Sequence, residues 1–274
     1  MIRYFILAFL ILFASEQAFA LHPEAHYIST PSLSGLANDS LNIQTSDHAR
    51  LTGWYCKTAQ DTSQFIIVMA GGDAGNMSYD IPLAQFFMDN FHVPVLLFDY
   101  RGFGTSDAFK SDTNAIGYPQ YLTDLDAAVS FAALRYPNRK IILYGRSLGA
   151  SLALVEGSKR NGITGVIAEC PYASQASLAQ HIQRVNPMIT VTPIVSMSLE
   201  PISAIGNFRP NNLLVLHGQA EGMIPSVELE ALVNAAPAQN KKFLDFENCD
   251  HLEIPFQATQ KYGEAIHDFL VQCE

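Results

Sequence analysis

The stretch Lys140-Ile141-Ile142-Leu143-Tyr144-Gly145-Arg146-Ser147-Leu148-Gly149-Ala150-Ser151-Leu152-Ala153-Leu154 reads as two elements joined at one residue. Residues 141–144 are uncharged and β-branched or apolar and end abruptly at glycine, the pattern of a strand buried on both faces. Residues 147–156 are rich in Ala and Leu and read as a buried helix. Between them, Gly145 to Gly149 spells G-x-S-x-G. A chain that turns from strand to helix within one residue strains that residue's backbone, and only small neighbours two before and two after let the turn close. Such a turn lifts the Ser147 hydroxyl clear of the sheet and aims the first helical N–H groups at the spot where an oxyanion would form. Ser147 is therefore the candidate nucleophile.

Working outward, continuous apolar runs at residues 65–69, 93–98, 140–144, 163–169, 213–216 and 242–246 alternate with helical segments. Runs buried on both faces and separated by helices predict a doubly wound, mostly parallel α/β sheet. The helix ahead of the Ser147 strand places Leu122, Leu125, Val129 and Ala132 on one face and stops at Tyr136-Pro137-Asn138. Residues 41–45 and 51–55 flank Ser46-Asp47-His48 and predict an antiparallel hairpin ahead of the parallel core, after an irregular lead-in over 21–40. Residues 171–199 form the one notable insertion. They contain an uncharged tract, 186–199, that suits either a core helix or a short cap over Ser147.

The chain has 274 residues, 49% hydrophobic and 15% charged, which suffices for one core. Residues 1–20 are expected to stand apart: a positive start at Arg3, an apolar run over 5–14 and an Ala18-Phe19-Ala20 cleavage signal read as a signal peptide. That leaves 21–274 as a single domain exported to the periplasm or secreted. The apolar run is too short to span a bilayer, which takes about twenty residues, so no stable membrane insertion is expected after cleavage. A net charge of −10 disfavours nucleic acid as a partner. The four cysteines, Cys56, Cys170, Cys249 and Cys273, permit three pairings and show no C-x-x-C or metal spacing with histidine. Neither metal nor cofactor is expected. A disulfide involving Cys249 would rigidify the loop before His251.

A serine hydroxyl needs a histidine to take its proton and a carboxylate to orient that ring. In a doubly wound sheet both come from loops at the carboxyl ends of later strands. Glu221 follows the strand at 213–216, and His251 follows the strand at 242–246. They stand where acid and base are required, with Asp245 and Glu247 as runner-up acids. Asp250 abuts His251 too closely to orient its ring. His217 reads as a packed strand-end residue, and Asp99 and Arg101 as parts of a hydrogen-bonded corner.

Four blocks carry a family resemblance: Gly72-Asp73-Ala74-Gly75-Asn76-Met77-Ser78, Phe98-Asp99-Tyr100-Arg101-Gly102-Phe103-Gly104-Thr105-Ser106, Tyr144 to Gly149, and Leu216 to Pro225. Together they resemble the α/β-hydrolase superfamily, and within it the Bem46-like and serine-aminopeptidase-like hydrolases. The resemblance spans roughly residues 41–272. It implies a catalytic triad of Ser147, Glu221 and His251, with an oxyanion hole from the backbone N–H groups of Leu148 and Asp73. Two positions depart from that family's pattern. Glu221 stands where it usually has Asp, one methylene further out. Gly71-Gly72-Asp73 replaces its usual His-Gly-Asn, so the Asp73 carboxylate is expected to point away from the oxyanion.

These readings converge on a serine hydrolase that cleaves a small-molecule acyl ester. A peptidase or amidase on the same triad, and a non-catalytic binding protein on a hydrolase fold, are the competing expectations.

Overall fold

In the computed structural model, residues 21–58, 62–194, 196 and 199–274 are described. In chain order the strands and first helices are β1 (His22–Pro23), β2 (Asn38–Gln44), β3 (Arg50–Cys56), β4 (Phe65–Ala70), β5 (Ala74–Gly75), α1 (Ile81–Phe91), β6 (Val95–Phe98), α2 (Pro119–Arg135), β7 (Lys140–Arg146) and α3 (Leu148–Lys159). They continue as β8 (Ile163–Glu169), α4 (Gln175–Val185), the one-turn α5 (Pro201–Ala204), β9 (Asn212–Gly218), α6 (Ser226–Ala235), β10 (Asn240–Phe246), the one-turn α7 (Ile254–Gln257) and α8 (Thr259–Gln272).

Eight strands form one sheet in the order β10-β9-β8-β7-β4-β6-β3-β2. From β10 to β6 every pairing is parallel, and β3 and β2 extend the sheet antiparallel. The doubly wound layering, with a core on each face of the sheet, follows from the periodicity of the central strands. In β4, Ile66, Val68 and Ala70 pack into one core while Phe65, Ile67 and Met69 pack into the other, as a period of two demands. Helices α2, α3 and α6 close the first core through Tyr121, Leu152 and Leu229, and α1 and α8 close the second through Phe87 and Tyr262. The edge strand β10 is exposed at its start, where Lys241 and Lys242 stand. Charged residues of this kind discourage a further strand from pairing there.

The order of the strands locates the site. After β4 the chain winds to β6 on one side, then returns to β7 on the other and continues through β8, β9 and β10. The winding therefore reverses between β4 and β7, and the crevice at their carboxyl ends is where doubly wound sheets hold ligands. Ser147 follows β7 and the Gly71-Gly72-Asp73 loop follows β4.

Two stretches depart from expectation. Residues 22–23 are not an irregular lead-in, because β1 pairs in parallel with β5. The reason is non-local: the His22 amide donates to the Asp73 carbonyl at 2.9 Å. In the insertion, the helix is α4, which buries only Gln175 and Ala179, and residues 186–194 are irregular rather than a core helix. Met188 is 91% exposed there. The segment is fastened to the body through Thr192, whose N–H donates to the Asn114 carbonyl at 2.8 Å. Residues 1–20, read above as a signal peptide, lie outside the described residues, as do 195, 197 and 198 of the insertion.

Candidate active site

Ser147 has φ 50° and ψ −114°, a region that costs a residue with a Cβ on the order of 1–3 kcal/mol. The surrounding glycines make the turn possible. A Cβ on Gly145 would lie 2.3 Å from the Gly149 carbonyl oxygen, and one on Gly149 would lie 2.2 Å from that of Ala70. Either substitution would force backbone apart. The turn is pinned by the Ser147 N–H, which donates to the Glu169 carbonyl at 2.9 Å.

The loops after β9 and β10 meet over this turn. His251 Nε2 lies 3.0 Å from Ser147 Oγ, and His251 Nδ1 is hydrogen-bonded to Glu221 Oε2. The second oxygen of Glu221 accepts from the Ile224 N–H at 2.9 Å and from His217 Nε2 at 3.2 Å, while His217 Nδ1 contacts Asp245 Oδ1 at 2.9 Å. The structure thus brings Ser147, His251 and Glu221 together and places the runner-up Asp245 three contacts away from the His251 ring, through His217 and Glu221. Asp250 accepts the backbone N–H of His251 at 2.7 Å and does not contact the ring. Gly218 lets the two loops approach, since a Cβ there would sit 2.6 Å from the Cys249 carbonyl oxygen. The Ala220 N–H donates to that same carbonyl at 2.9 Å.

Charge is arranged along the relay. Burial works against the charge of Glu221, but hydrogen bonds from His217 and His251 outweigh it and hold the carboxyl below its ordinary pKa. Burial likewise disfavours a charged His251, yet contacts with Cys170 and Glu221 raise its pKa well above the usual histidine value. Between two carboxylates, His217 is also raised, against the opposing effect of burial.

A family model described as serine aminopeptidase S33, a hydrolase family, matches residues 61–207. The chain belongs to this family. Among curated relatives, the chain is 28% identical over 251 residues to an uncharacterised membrane protein of Saccharomyces cerevisiae, covering 90% of this chain and 84% of that protein. It is 21% identical over 250 residues to protein bem46 of Schizosaccharomyces pombe, covering 89% and 80%. Among solved structures, an esterase of Pyrococcus furiosus superposes with a TM-score of 0.77 at 17% identity, covering 94% of this chain and 99% of that one. At that identity the likeness speaks for the fold alone.

Against the serine aminopeptidase pattern, the oxyanion loop departs at Asp73. Burial raises the pKa of its carboxyl, against the pull of His251, and so lessens its charge beside the site. Leu148 opens α3, so its N–H belongs to the first turn, which has no intrahelical acceptor.

Two residues that position the relay were missed. His217 lies near the end of β9, four residues before Glu221, and read from sequence as a packed strand-end residue, a role its 2% exposure also fits. Arg146 donates to Asp80 Oδ1 at 2.7 Å and to the Leu252 carbonyl at 3.0 Å, so it ties the nucleophile turn to the residue after His251. Leu252 needs that tie, because its φ of 60° is left-handed. All four cysteines are buried free thiols, and no disulfide braces the His251 loop. Among the described residues, no helix is long and apolar enough to cross a membrane.

Proposed function

We propose that this protein is a serine hydrolase that cleaves carboxylic esters through an acyl-Ser147 intermediate. One observation carries the reading: the unbroken relay from Ser147 Oγ through His251 to Glu221, built at the point where the sheet reverses its winding. In the proposed reaction, His251 Nε2 takes the Ser147 proton as the hydroxyl oxygen attacks the ester carbonyl carbon. Glu221 stabilises the imidazolium and fixes its tautomer. The tetrahedral oxyanion is met by the Leu148 N–H, joined by the Asp73 N–H. Collapse expels the alcohol, which receives the proton from His251, and water then repeats the cycle on the acyl-enzyme.

The substrate we infer is a soluble short-to-medium acyl ester. Residues 171–199 are too few for a large lid, and the Thr192 and Ile194 amides are held by the Asn114 carbonyl and by Gln175 Oε1, each at 2.8 Å. A segment fastened in this way has no need to open at an oil surface. A second reading, an aminopeptidase or amidase, is favoured by the serine aminopeptidase family match. Residues 1–20 are read as an export signal, so the working compartment would be periplasmic or extracellular.

The test is kcat/KM on p-nitrophenyl esters from acetate to palmitate, below each micelle threshold, beside aminoacyl p-nitroanilides. The ester reading predicts turnover that peaks at short or medium chains. Turnover of the anilides alone would favour the peptidase, and a rate surging when droplets form would contradict the fastened cap.

A further inference from the structure

Cys170 plays no part in acyl transfer, yet it stands against the relay. It directly follows β8, is fully buried, and has a left-handed backbone with φ 51°, a conformation that costs a non-glycine residue roughly 1–2 kcal/mol. Its sulfur, a ring nitrogen of His251 and a carboxylate oxygen of Glu221 all lie within 4.8 Å of one another. Cys170 is also among the groups that raise the His251 pKa. The spacing of cysteines along the chain gives no hint of this grouping, because its three members come from the loops after three different strands, β8, β9 and β10.

Sulfur, imidazole and carboxylate are together the donors that Zn2+ takes, at about 2.3, 2.0 and 2.1 Å from the ion. In a tetrahedral site those lengths set the ligand atoms roughly 3.4–3.6 Å apart. The present spacing is within reach of that geometry if His251 and Glu221 separate by on the order of an ångström as the ion replaces the proton they share. Hard cations are poorly served here, since Mg2+ and Ca2+ take six or more oxygens. The ring edge of His251 provides the entry, its side chain being 22% exposed while that of Glu221 is fully covered.

We propose that Cys170, His251 and Glu221 form a binding site for a thiophilic divalent cation of the Zn2+ class, and that its occupancy switches the enzyme off. Binding releases the thiol proton to solvent, the imidazole keeps its one proton on the nitrogen the ion does not take, and water fills the fourth position. Either ring nitrogen gives the same outcome. An ion on Nε2 displaces the Ser147 hydroxyl, and an ion on Nδ1 leaves the remaining proton on Nε2, with no lone pair to accept from Ser147. The inhibition rests on the hydrolase reading proposed above, whereas the binding does not.

The experiment titrates Co2+, then Zn2+, into the purified full chain while recording absorbance and, in parallel, ester turnover. The expected result is one Co2+ per chain with a near-ultraviolet thiolate-to-metal band. Zn2+ should displace that band and inhibit turnover reversibly to EDTA, and Mg2+ should do neither. In Cys170→Ala and Cys170→Ser the band should vanish. The Zn2+ concentration that halves each variant's own metal-free rate should then rise at least about tenfold. Cys249→Ala should keep the band, which separates the neighbouring thiol. The absence of a thiolate band in the wild-type protein, its persistence in both Cys170 variants, or its loss in Cys249→Ala alone would overturn the proposal. So would inhibition by Zn2+ unchanged in both Cys170 variants. Metal binding by a protein that turns over none of the substrates would overturn the hydrolase reading and leave the site standing.

Discussion

Two clusters of charge lie at the carboxyl edge of the parallel sheet, on either side of β4, and they are built to opposite ends. After β6, Arg101 is enclosed: its guanidinium donates to Asp124 at 2.7 Å and to Asp47 at 2.7 and 2.8 Å, and its backbone N–H donates to Asp124 at 2.9 Å. Every charge there is spent on holding the corner. Around β7, β9 and β10 the chain of contacts runs the same way from Asp245 through His217 and Glu221 to His251, but it ends on a hydroxyl, Ser147 Oγ, that is itself bonded to nothing rigid. A buried network that closes on itself specifies structure. One that ends on a movable proton at the site's mouth can do chemistry.

If that distinction is right, substitutions should divide cleanly between activity and stability. The largest effect is expected from Ser147→Ala and His251→Ala, each lowering kcat on the order of 10^4-fold or more with little change in melting temperature. The double variant should resemble either single one, and additive losses in kcat/KM would break the relay. Glu221→Gln should cost about 10^3- to 10^4-fold and move the acid limb of the pH–rate profile downward. The sign follows from His251: Glu221 helps raise its pKa, so removing that charge lets the base lose its proton at lower pH.

The reverse outcome is expected at the corner. Asp124→Ala leaves the Arg101 guanidinium, whose side chain is 9% exposed, with Asp47 alone and removes the acceptor of its backbone N–H, and should destabilise the fold by roughly 3 kcal/mol. Below the melting transition, kcat per folded molecule should hold near the wild-type value, as denaturant melts paired with active-site titration would report. Arg146→Gln sharpens the comparison, because the Arg146 side chain reaches the His251 loop through the Leu252 carbonyl and not through the His251 ring. It should lower kcat about tenfold while leaving KM near its original value, as expected when a remote change misplaces a catalytic group.

The smallest effect concerns Asp99, where burial lifts the pKa to about 7 against the Met77 N–H and Tyr27 hydroxyl that favour ionisation. Its unfolded value is near 4, so between about pH 4 and 7 the native state holds the extra proton and stability falls as pH rises. Asp99→Asn should flatten that slope in denaturant midpoints measured across the same range, without altering the activity profile.

The strands that carry the site were legible because their burial on both faces leaves a continuous apolar run, as in β4 and β7. The nucleophile turn was legible because its sterics act within five residues, Gly145 to Gly149. What escaped reading depends on contacts across the fold. The β1–β5 pairing needs an amide at His22 to find a carbonyl at Asp73. The Asp73 carboxyl was expected to turn outward on charge alone, and burial beside His251 and Tyr172 changes that premise by raising its pKa. The Arg146 tie joins residues 106 apart, and neither spacing nor composition encodes such a contact.

The most direct measurement is intact-mass spectrometry of the purified protein after a fluorophosphonate probe, with peptide mapping of the adduct. A relay that ends on an activated Ser147 predicts one adduct per chain, on Ser147, formed quickly in wild type, greatly slowed in His251→Ala and absent in Ser147→Ala. Wild-type protein that stays unlabelled, or labels on another residue, would contradict the assignment of Ser147 as the nucleophile.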